Sequence, residues 1–309
     1  MEKEKIAVLI PCYNEEKTIV KVIRDFQKYL PDAHIYVYDN NSTDCSYQLA
    51  KKEKCTLRKE TRQGKGNVVR RMFLDIDAEC YLMVDADNTY SAKDAKKMCQ
   101  LILKKEADMV IGDRLSGDYF KVNTRRFHNF GNKMICFLIQ LFFSEKLTDV
   151  LSGYRAFSYE FVKSFSGLSK NFEIEVEMTI QAIDKNFKIS SIPVLYQERE
   201  EGSFSKIHTY SDGFRIVSTI IRLWKEYRPK FFFSGFSILC LFIGSLIGIP
   251  IVIEYFSSSV ITNLFYLIIS CCCFLLSFLL FVTGIILNFL SIKQKRMFEL
   301  YLKILRRLE

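Results

Sequence analysis

Two runs near the C terminus carry no charged residue, and nothing else in the chain limits its folding as strongly. Phe231 to Ile253 is uncharged over about 23 residues, and Leu264 to Ile292 is uncharged and longer. A helix of about 20 apolar residues spans the hydrocarbon core of a bilayer, so both runs are long enough to cross one. Lys225, Arg228 and Lys230 precede the first run, and Lys293, Lys295 and Arg296 follow the second. The link, Glu254 to Asn263, has no Lys or Arg. Positive charge stays on the cytoplasmic side, so a hairpin with both ends in the cytoplasm is expected. The alternative is a very apolar hairpin buried inside a soluble protein. Beyond it, Phe298, Tyr301, Leu305 and Leu308 recur among basic residues, which predicts an amphipathic tail on the inner membrane surface.

The first part of the chain alternates strand-like and helix-like segments. IAVLI (Ile6 to Ile10), IYVY (Ile35 to Tyr38), a weaker Cys55 to Arg58, YLMV (Tyr81 to Val84) and MVI (Met109 to Ile111) read as strands. Between them, Ile19, Val22, Ile23, Phe26 and Leu30 share a helical face, a helix opens at the GKGN turn, and another covers roughly Ala92 to Lys105. This order predicts a largely parallel sheet with helices on both faces. The first strand runs into PCYNEE rather than G-x-G-x-x-G, which argues against a dinucleotide-binding domain. Ten cysteines without metal-type spacing and three scattered histidines suggest neither a disulfide framework nor a zinc site. The opening MEKEK leads straight into a strand-like run, so no secretory signal is expected.

YLMV ends in Asp85-Ala86-Asp87. Two carboxylates one residue apart, where a strand becomes a loop, can converge on a hard cation such as Mg2+ or Mn2+. Parallel sheets bind ligands outside the carboxyl ends of their strands, so a phosphorylated substrate is expected there. The plainer reading is a loop that uses Asp for turns.

After Arg114 the pattern changes. Tyr119 to His128 mixes basic and aromatic residues. Met134 to Phe143 is apolar but too short to span a bilayer, and reads either as an interfacial helix or as a core helix under the sheet. Leu147 to Ser158 is loop-like. Phe172 to Ile183 reads as a helix with Glu173, Glu175 and Glu177 near its start, where negative charge suits the helix dipole. Ile189 to Tyr196 returns to strand, a long polar loop follows, and Gly213 to Arg228 reads as an amphipathic helix.

Seven short motifs now occur in a telling order: IPCYNEEKTI, VYDNNSTD, RQGKGNVVR, DADNTY, IGDRL, DVLSGYRAF and EGSFSKI. Together they make the first 230 residues or so resemble a family 2 glycosyltransferase of the GT-A fold. More closely they resemble the polyprenyl-phosphate hexose synthases, the group of dolichol-phosphate mannose synthase and the bacterial glucosyl-carrier enzymes. Asn40-Asn41 stands where that family has Asp-Gly.

The resemblance implies an α/β GT-A domain over residues 1–210, with an interfacial helix near 130–144. A juxtamembrane helix (211–229), a transmembrane hairpin (230–292) and a cytosolic tail (293–309) complete the expected chain. It implies that Pro11, Tyr13, Glu15, Asp39, Lys65, Asp85 and Ala86 surround the nucleotide. Asp87, with Asp85, would hold Mg2+ or Mn2+. Lys206 would close over the diphosphate, and Lys65 is either a second diphosphate ligand or a solvated lysine. Arg114, Arg125, Arg126, Asp149, Ser152 and Arg155 would form the acceptor-phosphate pocket. The family's second arginine is usually followed four residues on by serine; here Asn129 follows Arg125 and Phe130 follows Arg126, which leaves the register of that pair open. Asp85, Asp87, Arg114 and Lys206 are the expected catalytic set.

The expected activity is transfer of one hexose or N-acetylhexosamine, with inversion, from a UDP- or GDP-sugar to polyprenyl phosphate at the cytoplasmic face of the inner membrane. The rival expectations are another lipid or glycan acceptor, or a non-catalytic membrane scaffold that keeps the fold. No nucleic-acid partner is expected. The amphipathic and membrane segments offer surfaces for a homo-oligomer.

Overall fold

The computed structural model describes residues 4–115, 126–197, 199, 209–261 and 263–307. The chain divides into two compact units, Met1–Ile220 with Ile304–Glu309, and Ile221–Lys303.

The first unit is built on a seven-stranded sheet. Its strands are β1 (Glu4–Cys12), β2 (His34–Asp39), β3 (Thr56–Lys59), β4 (Ala78–Met83), β5 (Met109–Asp113), β6 (Arg155–Ser158) and β7 (Ile189–Pro193), in the order β3-β2-β1-β4-β6-β5-β7. The apolar runs read as strands form its centre: Ala7 to Ile10 and Tyr81 to Val84 are buried. The helices of this unit are α1 (Ile19–Tyr29), α2 (Ser46–Ala50), α3 (Lys65–Asp75), α4 (Ala95–Leu103), α5 (Arg126–Phe143), α6 (Tyr159–Ser164) and α7 (Ile174–Asp184). In α1, Ile19, Val22, Ile23 and Phe26 point into the core, as their spacing requires. Burying each such side chain contributes roughly 1.5–3 kcal/mol over leaving it exposed. The helix ends at Leu30, whose N–H donates to the Phe26 carbonyl; Leu30 precedes Pro31, and a residue before proline avoids helical backbone.

The sheet is mostly parallel, as expected, with one strand that the sequence pattern does not show. β1 pairs in parallel with β2 and β4, but β6 lies antiparallel between β4 and β5. Arg155 to Ser158 reads as loop in the sequence because four residues behind a polar stretch show no period. All four are buried in the sheet. The sheet is therefore mixed, flanked by helices. The carboxyl ends of β1, β2 and β4 still share one edge, which is where a parallel sheet takes its ligands.

Helix α5 answers to both readings of its apolar run. Ile135, Ile139 and Phe143 are buried, while Met134, Phe137 and Leu141 on the other side are exposed. Helix α8 (Thr209–Tyr227) follows, as its amphipathic pattern predicts.

The second unit contains two long helices, α9 (Pro229–Ser258) and α10 (Leu264–Arg307). Both are long and apolar enough to cross a membrane. Only 17% and 11% of their most apolar stretches are buried, so the buried soluble hairpin is not what the structure shows. Such exposed apolar surface is consistent with lipid as the solvent. The helices meet at small residues seven apart. The Ser237 hydroxyl donates to the Ser277 carbonyl and the Ser277 hydroxyl to that of Ser237, each at 2.8 Å; Ser270 donates to Gly244 at 2.9 Å. Small residues allow this approach, and the hydroxyls return their bonds to the partner backbone. The residues of the expected tail continue α10, which runs unbroken from Leu264 to Arg307.

Candidate active site

Three loops at the carboxyl edge of the sheet form one side of a cavity of about 290 Å³. The loop after β1 is held by Ser42 and Ser46, whose hydroxyls accept from the N–H groups of Asn14 (3.0 Å) and Glu15 (2.7 Å). Thr18 ties it to the Asp85-Ala86-Asp87 loop through a 2.7 Å bond to the Ala86 carbonyl. After β2, the Asn40 amide donates to the carbonyls of Glu60 (2.8 Å) and Arg62 (2.9 Å) and accepts from the Gly64 N–H (2.7 Å). Both of its amide hydrogens and its carbonyl oxygen are engaged as a strut. Asn41 is left-handed, with φ of 60°. Asparagine is among the few non-glycine residues that tolerate this, which accounts for Asn-Asn in place of Asp-Gly.

The glycine-rich turn needs both glycines. Gly64 has φ of 122°, outside the range of other residues. Gly66 donates to the Lys170 carbonyl at 2.8 Å, and a Cβ there would overlap the Ser169 carbonyl oxygen. Replacing Gly66 with alanine is therefore expected to cost about 1–3 kcal/mol of stability, because backbone and not a flexible side chain must move. The midpoint of thermal unfolding checks this, and an unchanged midpoint would show that the turn is not held against 169–170.

Charged groups meet across the cavity floor. Lys65 places its ammonium 2.5 Å from Asp85 Oδ1 and 2.6 Å from Glu175 Oε1. Burial alone would push the Lys65 ammonium down, but the carboxylates of Asp85 and Glu175 outweigh it and hold it well above the usual lysine range. Arg199 lies 2.6 Å from Asp87 Oδ2 and 3.8 Å from Glu15 Oε1. Thr89 donates to Asp87 Oδ1 from its hydroxyl at 2.6 Å. Each carboxylate of the Asp85/Asp87 pair thus faces a protein cation. Gly153, from the DVLSGYRAF motif, lies against Asp85 so closely that a Cβ would overlap its carboxylate.

Also on the cavity lining, Arg114 follows β5 and forks onto Asp149, with Nε to Oδ2 at 2.7 Å and Nη2 to Oδ1 at 2.8 Å. Its guanidinium lies over the Tyr196 ring, 5.6 Å from the centroid. Burial works against the charged guanidinium, yet Asp149 keeps it charged.

Of the residues expected at the site, Pro11, Tyr13, Glu15, Lys65, Asp85, Ala86, Asp87 and Arg114 line this one cavity. Lys65 is a paired, buried lysine rather than a solvated one. Asp39 is buried behind the wall; Oδ2 accepts from the Ser42 N–H at 3.3 Å, and Oδ1 has no hydrogen-bond partner among the described residues. Asp149, Ser152 and Arg155, like Asp39, are not among the residues that line the cavity. Asp149 is buried under Arg114. The Ser152 hydroxyl is buried and accepts from the Tyr154 N–H at 3.3 Å. Arg155 is fully buried, donates to the carbonyls of Val150 and Ser152 and to the Thr179 hydroxyl, and is pushed down to about 10 by that burial. It braces the loop from inside. Arg125 and Lys206 lie outside the described residues, and Arg126 is described only as the first backbone position of α5.

Sequence reasoning missed Glu175, Arg199 and Tyr196, all on the cavity wall. A signal existed for the first: Glu175 and Glu177 sit in a helix whose other residues are mostly apolar, and glutamates in such a helix are buried only with a partner. Arg199 lies in a stretch of alternating charge that reads as a solvated loop.

A mixed seven-stranded sheet with its β1, β2 and β4 loops around an Asp-x-Asp cavity defines a GT-A-type domain. Residues 7–165 match glycosyl transferase family 2. Glycosyltransferase AglJ of Haloferax volcanii is 34% identical over 233 residues, covering 75% of this chain and 76% of that protein. A UDP-N-acetylglucosamine–dolichyl-phosphate N-acetylglucosaminyltransferase of Methanococcus voltae is 26% identical over 251 residues, covering 72% and 97%. Glucosyl-3-phosphoglycerate synthase of Mycobacterium tuberculosis, solved with Mn2+, UDP-glucose and phosphoglyceric acid, shares the fold with a TM-score of 0.58 at 18% identity, over 72% of this chain and 80% of that one. The chain belongs to glycosyl transferase family 2 and is a nucleotide-sugar-dependent glycosyltransferase.

Proposed function

We propose that the chain transfers one hexose or N-acetylhexosamine from a UDP- or GDP-sugar to polyprenyl phosphate, with inversion, at the cytoplasmic face of the membrane. The observation that carries this reading is that Arg114 lines the same cavity as Asp85 and Asp87. The cavity then offers carboxylates and a lysine for a nucleoside diphosphate and, on the same lining, a guanidinium suited to a second anion.

The residues present fit a divalent cation. Asp85 and Asp87 offer hard oxygen donors on the wall and already face cationic groups. Among the described residues no third carboxylate, histidine or cysteine completes a cage. That suits Mg2+ or Mn2+, which take one or two carboxylates and fill the rest of the shell with water and substrate phosphate. When bound, the ion would neutralise charge on the departing nucleoside diphosphate. Pro11 and Tyr13 would flank the base, with Asp39 and Glu15 near base and ribose. Lys65 and Lys206 would offer positive charge to the diphosphate.

A lipid phosphate is already ionised near neutral pH and needs no strong base to attack the anomeric carbon. Asp149 is consistent with this, since both its oxygens are engaged by Arg114. Arg125 or Arg126 would add a second charge for the acceptor phosphate. The exposed side of α5, with Met134, Phe137 and Leu141, would rest in the headgroup layer. Basic residues at both ends of the hairpin support a cytoplasmic catalytic unit. The Methanococcus voltae relative, by its name, acts on a dolichyl phosphate, which supports the same class of acceptor.

The test is to incubate membranes carrying the chain with labelled UDP- and GDP-sugars and undecaprenyl phosphate. One labelled sugar is expected in the lipid fraction, and only when the lipid phosphate is supplied. Label on another lipid or glycan, or no transfer from any donor, overturns the proposal.

A further inference from the structure

Glu175 is 2% exposed, lines the cavity, and spends one oxygen on Lys65. Its other oxygen, Oε2, has no hydrogen-bond partner among the described residues. A buried carboxylate oxygen left without a donor is costly, and such atoms in a binding cavity mark a place for one. Burial raises the Glu175 carboxyl above its usual range, and the Lys65 ammonium only partly offsets this. The position limits what the donor can be. Through Lys65, Glu175 is one ammonium away from Asp85, beside the floor where a diphosphate would sit. A carboxylate repels phosphate oxygens. The part of a nucleotide sugar that is adjacent to the diphosphate and rich in O–H donors is the sugar.

We propose that Glu175 Oε2 accepts a hydrogen bond from a hydroxyl, or from the N–H of an N-acetyl group, on the donor sugar, and so helps to set which sugar the enzyme takes. This rests on the nucleotide-sugar reading above. Phe172 lines the same cavity, and the Lys65 ammonium lies over its ring, 5.8 Å from the centroid. A role confined to holding Lys65 in place is the competing account, and the two separate in binding.

The experiment titrates the full chain in detergent with UDP, GDP, the accepted nucleotide sugar and its singly deoxygenated analogues. For the wild type, one analogue is expected to bind about 10- to 100-fold more weakly than the parent, the range for a hydrogen bond to a charged group. Glu175→Gln keeps a carbonyl oxygen for Lys65 and replaces the other oxygen with an NH2 group, which cannot accept. In that variant the gap is expected to close while nucleoside diphosphate affinity stays near the wild-type value. Glu175→Asp keeps the charge but draws it back by one methylene; it should shrink the same gap and serves where the glutamine variant does not fold. If nucleoside diphosphate affinity falls and the sugar preference survives, Glu175 only positions Lys65 and the proposal fails. If no analogue is discriminated against, it fails as well. If neither UDP nor GDP binds the wild type, the underlying donor reading falls and takes this assignment with it.

Discussion

Alanine at Asp87 is expected to lower sugar transfer by roughly 100- to 1,000-fold or more, the loss seen when an electrostatic stabiliser of developing charge is removed. Asp87 is 5% exposed, and its two oxygens are committed to Thr89 and Arg199. Alanine removes the carboxylate that would face a divalent ion, and added Mg2+ or Mn2+ cannot restore it. The fold should survive. Arg199 keeps Glu15 nearby and is partly solvated, so no charge is stranded in the core. The measurement pairs a transfer assay over a range of Mg2+ and Mn2+ with thermal unfolding. Full activity in a folded variant would remove the metal argument.

The second large effect is on stability. Replacing Arg114 with alanine leaves Asp149 buried beneath it without its guanidinium. Breaking a buried ion pair by removing one partner costs about 3–5 kcal/mol, since the remaining charge is uncompensated. For a unit of this size that lowers the unfolding midpoint by roughly 10 °C. Combining Arg114→Ala with Asp149→Asn should recover part of the loss, because a neutral amide tolerates the site better. Transfer should remain low in the double variant, since the guanidinium proposed to face the acceptor is still missing. A double variant with restored stability and normal transfer would confine Arg114 to a structural role.

How much of this was legible beforehand depended on what each segment owes to its neighbours. IAVLI, IYVY and YLMV are apolar runs whose burial is decided locally, and they form the sheet centre. The Asp85-Ala86-Asp87 loop follows from strand geometry, because a strand that ends at the sheet edge delivers its next residues there. β6 was invisible: four residues, Arg155 to Ser158, become a strand only because β4 and β5 leave a gap between them. The misplacement of Arg155 has the same origin. Neighbouring side chains on a strand point to opposite faces, so membership of a motif does not say which way a residue looks. Tyr154 packs with Tyr90, whereas Arg155 turns to Thr179 of α7. In the sequence Glu175 reads as a favourable charge at a helix start, and only the approach of Lys65 from α3 gives it a place in the cavity.

The contact between Gly153 and Asp85 has a bearing on how this chain can vary. A single hydrogen atom at residue 153 separates two motifs encoded far apart, so the two positions behave as one design variable. Bulk added at the first displaces the carboxylate at the second, and the aim of that carboxylate is thus governed from a downstream residue that has no side chain of its own. Redesign of the donor pocket has to treat both segments together.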